Sequence, residues 1–209
     1  RAANDAQLYL PALEEMVALK REETELIGYE AHPYDALVDL FEPEMTVAEL
    51  DVLFAEVKEK LVDFVGVLRR KEPADNTFLQ RHYPKDAQWK FGLEVLQGIG
   101  YDFAAGRQDI SHHPFTTSFG PGDIRVTTRI DEHYFDNMTW SCIHEGGHAL
   151  YEQGLPADQF GLPSGRYASL GIHESQSRLW ENNVGRSQAF WQHWFPKLQQ
   201  YFPQQLDGV

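Results

Sequence analysis

The chain has 209 residues, between one and two domains of about 150 residues, and its 42% hydrophobic and 13% aromatic content supports a core and excludes disorder as the default. Eighteen Lys and Arg against 32 Asp and Glu leave a net charge of −14, which argues against binding to nucleic acid or an anionic membrane surface, since both need a basic patch. One cysteine, Cys142, excludes an internal disulfide and a cysteine-built zinc cluster, so a metal would be held by His and carboxylates; it also points to a cytoplasmic protein.

In chain order, Leu13, Met16, Val17 and Leu19 fall at helical spacing after Pro11, predicting an amphipathic helix to about Tyr29. A second repeats Leu50, Leu53, Phe54, Val57, Leu61, Phe64, Val65 and Leu68 at steps of three and four, with a capping-box pattern at Thr46 and Glu49. Tyr83-Pro84 opens a third, which runs through Phe91, Val95 and Leu96 until Gly98 and Gly100. Gly120-Pro121-Gly122, between β-branched and aromatic residues, signals a hairpin. In its second arm Asp123, Arg125, Thr127 and Arg129 alternate with Ile124, Val126, Thr128 and Ile130, so a half-buried strand is expected. Helices are expected again over about 135–153, 168–185 and 188–201. The aromatic run Phe190, Trp191, Trp194, Phe195, Tyr201 and Phe202 reads as core or subunit interface rather than a recognition cage.

His144-Glu145-Gly146-Gly147-His148 is the most informative stretch. Two His four apart lie about 40° apart around a helix and can chelate one cation. The Glu between them is placed to act on water activated by the metal rather than on the metal itself, which makes Glu145 the candidate general base. Each Gly inside a helix costs about 1 kcal/mol relative to Ala. A sequence that accepts two, Gly146 and Gly147, is expected to need close backbone approach, to a strand or a substrate.

A catalytic zinc needs a third protein ligand and an open fourth position. Glu174, in Gly171-Ile172-His173-Glu174-Ser175-Gln176, is the candidate and His173 the rival. The two lie about 100° apart on a helix, which disfavours both on one ion. The known hydrolytic His₂Glu arrangement favours Glu174. His112-His113-Pro114-Phe115 reads as a loop, and the Asp/Arg alternation either as a solvated face or as a groove wall. In the second case a peptide lying along the edge of that strand would gain main-chain hydrogen bonds, and Arg125 or Arg129 could meet a carboxylate.

Taken together, His113-Pro114-Phe115, Asp123-x-Arg125-x-Thr127, His144-Glu145-x-x-His148 followed by Ala149 to Gly154, and His173-Glu174-Ser175-Gln176 resemble the thermostable carboxypeptidase 1 (carboxypeptidase Taq) family of zinc metallocarboxypeptidases. The region from Ile27-Gly28-Tyr29 to Tyr34-Asp35-Ala36-Leu37 is similar to that family as well. The resemblance implies a mainly α fold, a helical metallopeptidase with a small antiparallel β-sheet beside the HExxH helix, and a homodimer. It implies His144, His148 and Glu174 as metal ligands, Glu145 as the catalytic residue, and His113, Asp123, Arg125 and Thr127 as substrate-binding candidates. It further implies Zn2+ or Co2+, and release of C-terminal amino acids from peptides with broad specificity that spares a terminal proline.

Members of that family are well over twice as long and carry two later motifs, an Ile-Arg-x-x-Ala-Asp stretch and a Gln-Asp followed by Trp, that do not occur here. The chain begins at Arg1 and ends just after an aromatic run. Residues 1–209 are therefore expected to be a single unit, the metal-binding central part of a larger peptidase. Two alternatives stay open: a metal-binding fragment without activity, and an endo- or oligopeptidase with the same His₂Glu chemistry.

Overall fold

A computed structural model describes residues 6–209. Two compact units divide the chain, Arg1–Glu72 and Pro73–Val209. No helix among the described residues is long and apolar enough to cross a membrane.

The first unit holds three helices, α1 (Leu10–Ile27), α2 (Asp35–Asp39) and α3 (Val47–Leu68). The expected capping box opens α3: the Thr46 hydroxyl accepts from the Glu49 N–H at 3.3 Å, and the Glu49 carboxylate accepts from the Thr46 N–H at 3.0 Å. Asp35 ties the starts of α2 and α3 together, because one of its oxygens accepts from the Val47 N–H at 2.7 Å and the other from His32. The apolar positions of α3, Leu53, Phe54, Val57, Leu61 and Phe64 among them, are exposed. Its amphipathic pattern thus forms a helix, but the face it defines is not buried among the described residues.

The second unit carries α4 (Lys85–Ile99), β1 (Gln108–Ile110), β2 (Thr116–Ser118), β3 (Ile124–Thr128), α5 (Asp136–Gln153), α6 (Leu170–Arg178), a π-helical segment (Leu179–Gly185) and α7 (Gln188–Tyr201). The chain is mainly α, as expected. Gly100, at φ 106°, closes α4 in the left-handed conformation that costs an L side chain energy, and the Tyr101 N–H returns to the Leu96 carbonyl at 3.0 Å. Tyr83, Phe91, Phe135 and Phe202 are fully or almost fully buried. Their rings meet at 4.7 Å (Tyr83 to Phe135) and 5.2 Å (Phe135 to Phe202), which ties the entry to α4 and the end of α7 onto the start of α5. Phe190, Trp194 and Phe202 belong to this core, in line with the reading of the aromatic run.

The sheet differs from expectation in two ways. Its order is β1-β3-β2, with β2 antiparallel to β3 but β1 parallel to it, so it is mixed rather than wholly antiparallel. The hairpin at Gly120-Pro121-Gly122 makes the antiparallel pair; β1 reaches β3 through a longer connection and arrives in the other sense. The second difference follows: β3 is the central strand, with its main-chain groups already paired on both sides, so a peptide cannot be added along its edge. The free edges belong to β1 and β2. Ile124, Val126 and Thr128 are buried on one face as the alternation requires. Thr127, on the other face, is buried as well, because its hydroxyl ties down the loop before β2 through Ser111 Oγ at 2.7 Å and the Phe115 N–H at 2.9 Å.

The helix expected over 168–185 starts at its Ser169 cap, whose hydroxyl accepts from the Ile172 N–H at 3.1 Å, and widens from α to π after Arg178. The two glycines of α5 face neighbouring helices rather than a strand. A Cβ on Gly146 would lie 2.8 Å from the Ile99 side chain and 2.9 Å from that of Leu96; a Cβ on Gly147 would lie 2.7 Å from Ser177 Cα and 2.9 Å from the Gln176 carbonyl. Helix α5 therefore touches α4 through side chains and α6 through bare backbone. Side chains can yield to an added methyl; backbone cannot without parting the helices. Gly147→Ala is expected to destabilise the fold by about 1–3 kcal/mol. Gly66→Ala, where an added Cβ meets nothing in exposed α3, is expected to stabilise by up to about 1 kcal/mol. Urea unfolding of the two variants beside the unmodified protein measures both.

Candidate metal centre

Helix α5 presents His144 and His148 one turn apart on the side that faces α6, with ring centroids 5.0 Å apart. The first turn of α6 brings Glu174 against them. Its Oε2 lies 3.7 Å from His144 Nε2 and 3.4 Å from His148 Nε2, and the three donor atoms all fall within 4.8 Å of one another. Ligands bound tetrahedrally at about 2.1 Å stand about 3.4 Å from each other, so the two imidazole–carboxylate separations suit a zinc-sized ion. His173, the rival for third ligand, turns away from this point.

The Nε2 atoms face Glu174 because both Nδ1 atoms are engaged elsewhere. His144 Nδ1 donates to Glu181 Oε2 at 2.9 Å; Glu181 is in turn held by Arg186 at 2.7 Å. His148 Nδ1 meets His173 Nδ1 at 2.6 Å, and His173 Nε2 meets Glu152 at 2.8 Å. Arg178 donates from Nε to Glu174 Oε1 at 2.7 Å, which leaves Oε2 directed at the imidazoles. Burial, with His173 and His144 beside it, pushes the His148 imidazole down to about 4, so it is neutral at pH 7 and its lone pair is free. At Glu174 burial pulls the carboxyl up, but the bond from Arg178 and the neighbouring His144 outweigh it and hold the group below the usual carboxylate range. His148 and Glu174 are thus in the protonation states a cation requires.

Glu145 is 7% exposed and sits beside this point on α5. Burial raises its carboxyl above the usual range, against the opposing pull of a 2.8 Å hydrogen bond from the Thr116 hydroxyl. Thr116 is on β2, so the sheet aims the carboxylate.

The remaining sequence candidates are placed as follows. Arg125 makes a bidentate pair with Asp123 at 2.7 and 2.6 Å and lies over the Phe119 ring, 5.0 Å from its centroid. The guanidinium holds the Asp123 carboxyl below its usual range. Thr127 secures the loop before β2, and exposed His113 lies with its Nδ1 2.6 Å from the Pro114 carbonyl. The structure also assembles residues the sequence did not mark for a site: Thr116, Glu181, Arg178 and Arg186, with Glu152 and His173 in a new role. Glu181 and Arg186 lie in or next to the π-helical segment, whose wider turn no α-helical periodicity signals.

Cys142 lies two residues before His144 on α5 but takes no part. It is 1% exposed, with its sulfur 3.7 Å from Gln108 Oε1, and burial pushes its thiol up to about 12. A thiol-selective reagent in excess is expected to leave the native protein unmodified at pH 8 and to take up one equivalent after denaturation, as intact-mass spectrometry will read; modification without denaturant would contradict the burial.

The sequence profile of the carboxypeptidase Taq (M32) metallopeptidases matches residues 1–209. The chain is 45% identical to thermostable carboxypeptidase 1 of Thermus thermophilus over 97% of its length, and 42% identical to carboxypeptidase 1 of Bacillus subtilis over all of it. In both cases it spans 42% of the relative. Among solved structures, "BsuCP Crystal Structure" superposes with a TM-score of 0.96 at 42% identity, and the M32 carboxypeptidase of Deinococcus radiodurans with 0.91 at 40%; all of this chain and 42% of each of those chains are covered.

Proposed function

Since the chain belongs to the carboxypeptidase Taq (M32) metallopeptidase family, we propose that it is the metal-binding part of a metal-dependent carboxypeptidase. One observation carries this reading: two imidazole nitrogens and a carboxylate oxygen converge beside a buried carboxylate aimed by a strand. His144, His148 and Glu174 hold the metal, zinc being the ion their donor atoms suit and cobalt the alternative.

When bound, the metal supplies a Lewis acid that polarises the scissile carbonyl and acidifies water. Glu145 takes the proton from the attacking water and hands it to the leaving amine. Its raised pKa suits both transfers, because a carboxylate made more basic by burial accepts a proton more readily and still gives it up to an amine. The Thr116 hydroxyl keeps one oxygen of Glu145 fixed, so the other is free to move the proton.

The substrate is a peptide. Residues His113, Asp123, Arg125 and Thr127 border its groove, with the Asp123–Arg125 pair shaping the wall and Thr127 fixing the loop that carries His113. Broad specificity that spares a terminal proline, a homodimer and a cytoplasmic location complete the reading, and rest on the family resemblance and on the single cysteine. Arg125 favours a second reading of this chain by itself: it is committed to Asp123, so a substrate carboxylate must displace that partner or find another cation. On that reading the 209 residues bind metal but do not release amino acids alone, consistent with a chain that spans 42% of its relatives.

Glu145→Gln in the complete enzyme is expected to keep stoichiometric metal and to lose about 10²–10⁴-fold in turnover. Metal analysis and release of C-terminal amino acids measure the two; wild-type turnover would remove Glu145 from the mechanism. An N-blocked peptide should be trimmed and its C-amidated counterpart left intact. Internal cleavage of the amidated peptide would replace the carboxypeptidase reading with an endopeptidase one.

A further inference from the structure

Beyond the three donor atoms, a chain of side chains runs behind His148. His173 Nε2 lies 2.8 Å from a Glu152 oxygen, and His173 Nδ1 lies 2.6 Å from His148 Nδ1. The side chains of Glu152, His173 and His148 are only 12%, 13% and 17% exposed, so water competes weakly for these bonds. The His173 ring is also clamped from both sides by edge contacts, with Tyr151 at 5.2 Å and Tyr167 at 5.1 Å between centroids.

Donor accounting constrains how the protons lie. A carboxylate only accepts, so His173 must place its N–H on Nε2, toward Glu152. Its Nδ1 then faces His148. A His148 that ligates through Nε2 carries its ring proton on Nδ1, and the 2.6 Å contact is then a hydrogen bond donated to His173, with His148 Nε2 bare and directed at Glu174. A free imidazole would divide itself between two tautomers, one of which has its proton at the metal point. The relay removes that choice and at the same time fixes the ring's rotation.

We propose that His173 is a positioning residue, neither a metal ligand nor an oxyanion donor, and that with Glu152 it sets metal affinity by locking the tautomer and orientation of His148. The inference rests on the assignment of His144, His148 and Glu174 as the metal ligands. Both nitrogens of His173 are used in the relay, so it has none left for a substrate. The role differs from that of Glu181 on His144, where a carboxylate acts directly on the ligand; on His148 the carboxylate acts through an intervening ring. Removal of such an outer partner lowers metal affinity by about 10–100-fold.

The test measures zinc affinity by competition with a chromophoric chelator, and the visible absorption of the cobalt form, in the protein and four variants. His173→Phe keeps a ring between Tyr151 and Tyr167 but has no acceptor, and should weaken zinc binding about 10–100-fold and alter the cobalt spectrum. Glu152→Leu should do the same. Glu152→Gln retains a carbonyl oxygen to receive the His173 N–H and should restore affinity to near that of the unmodified protein, which a general packing defect would not do. Glu174→Ala is the control on the underlying assignment and should abolish stoichiometric binding. Circular dichroism and melting of the metal-free forms check the fold; if His173→Phe does not fold, the contrast between Glu152→Leu and Glu152→Gln decides. Unchanged zinc affinity and cobalt spectra in His173→Phe and Glu152→Leu, with binding lost in Glu174→Ala, would overturn the relay. Unchanged binding in Glu174→Ala would overturn the ligand assignment itself.

Discussion

The site depends on how closely two helix backbones can approach. Where α5 passes α6, Gly147 lies so near Ser177 Cα and the Gln176 carbonyl that any side chain would force them apart. The donors of the candidate centre are distributed across this seam, two histidines on one helix and a carboxylate on the other. A displacement of an ångström or so, on the scale of one methyl group, would spoil the separations that match a tetrahedral ion. The glycine that weakens α5 as an isolated helix is thus what allows the candidate donors of α5 and α6 to meet.

Around that seam the charges are balanced locally rather than by the protein as a whole. Glu145, Glu152, Glu174 and Glu181 crowd one region of a chain that already has a net charge of −14. Each of them has a specific partner: Thr116 for Glu145, His173 for Glu152, Arg178 for Glu174, and His144 with Arg186 for Glu181. The partners direct particular oxygens and nitrogens as well as offsetting repulsion. Arg178 occupies one oxygen of Glu174 while the other faces the imidazoles, and the contacts at the two Nδ1 atoms leave both Nε2 atoms facing Glu174. A cation placed there would relieve the remaining repulsion between Glu145 and Glu174, so metal binding and the stability of this region are coupled.

The sheet contributes in an indirect way. Its central strand β3 supplies buried side chains to the core and, through Thr127, holds the loop that carries His113. Its outer strand β2 supplies the hydroxyl that aims Glu145. The alternation of β3 was readable from the residues, but whether that strand is central or lies at an edge depends on β1, which returns from a distant connection and leaves no mark in the local pattern.

The amino-acid sequence by itself determined the local features: the helices and their caps, the hairpin, and the pairing of His144 with His148 and Glu145 on one helical turn. These arise from interactions within a few residues, where spacing and residue type are sufficient. It also identified the family, because four short motifs occur together in order. Tertiary structure decided everything that depends on distant segments meeting. It separated Glu174 from its neighbour His173 by setting one against the imidazoles of His144 and His148 and the other between His148 and Glu152, paired Arg125 with Asp123, and brought Glu181 and Arg186 to His144 through a π-helical segment. It also left the apolar face of α3 exposed. Periodicity shows that a helix has a face to bury, whereas the surface that buries it is set by packing between elements far apart in the chain.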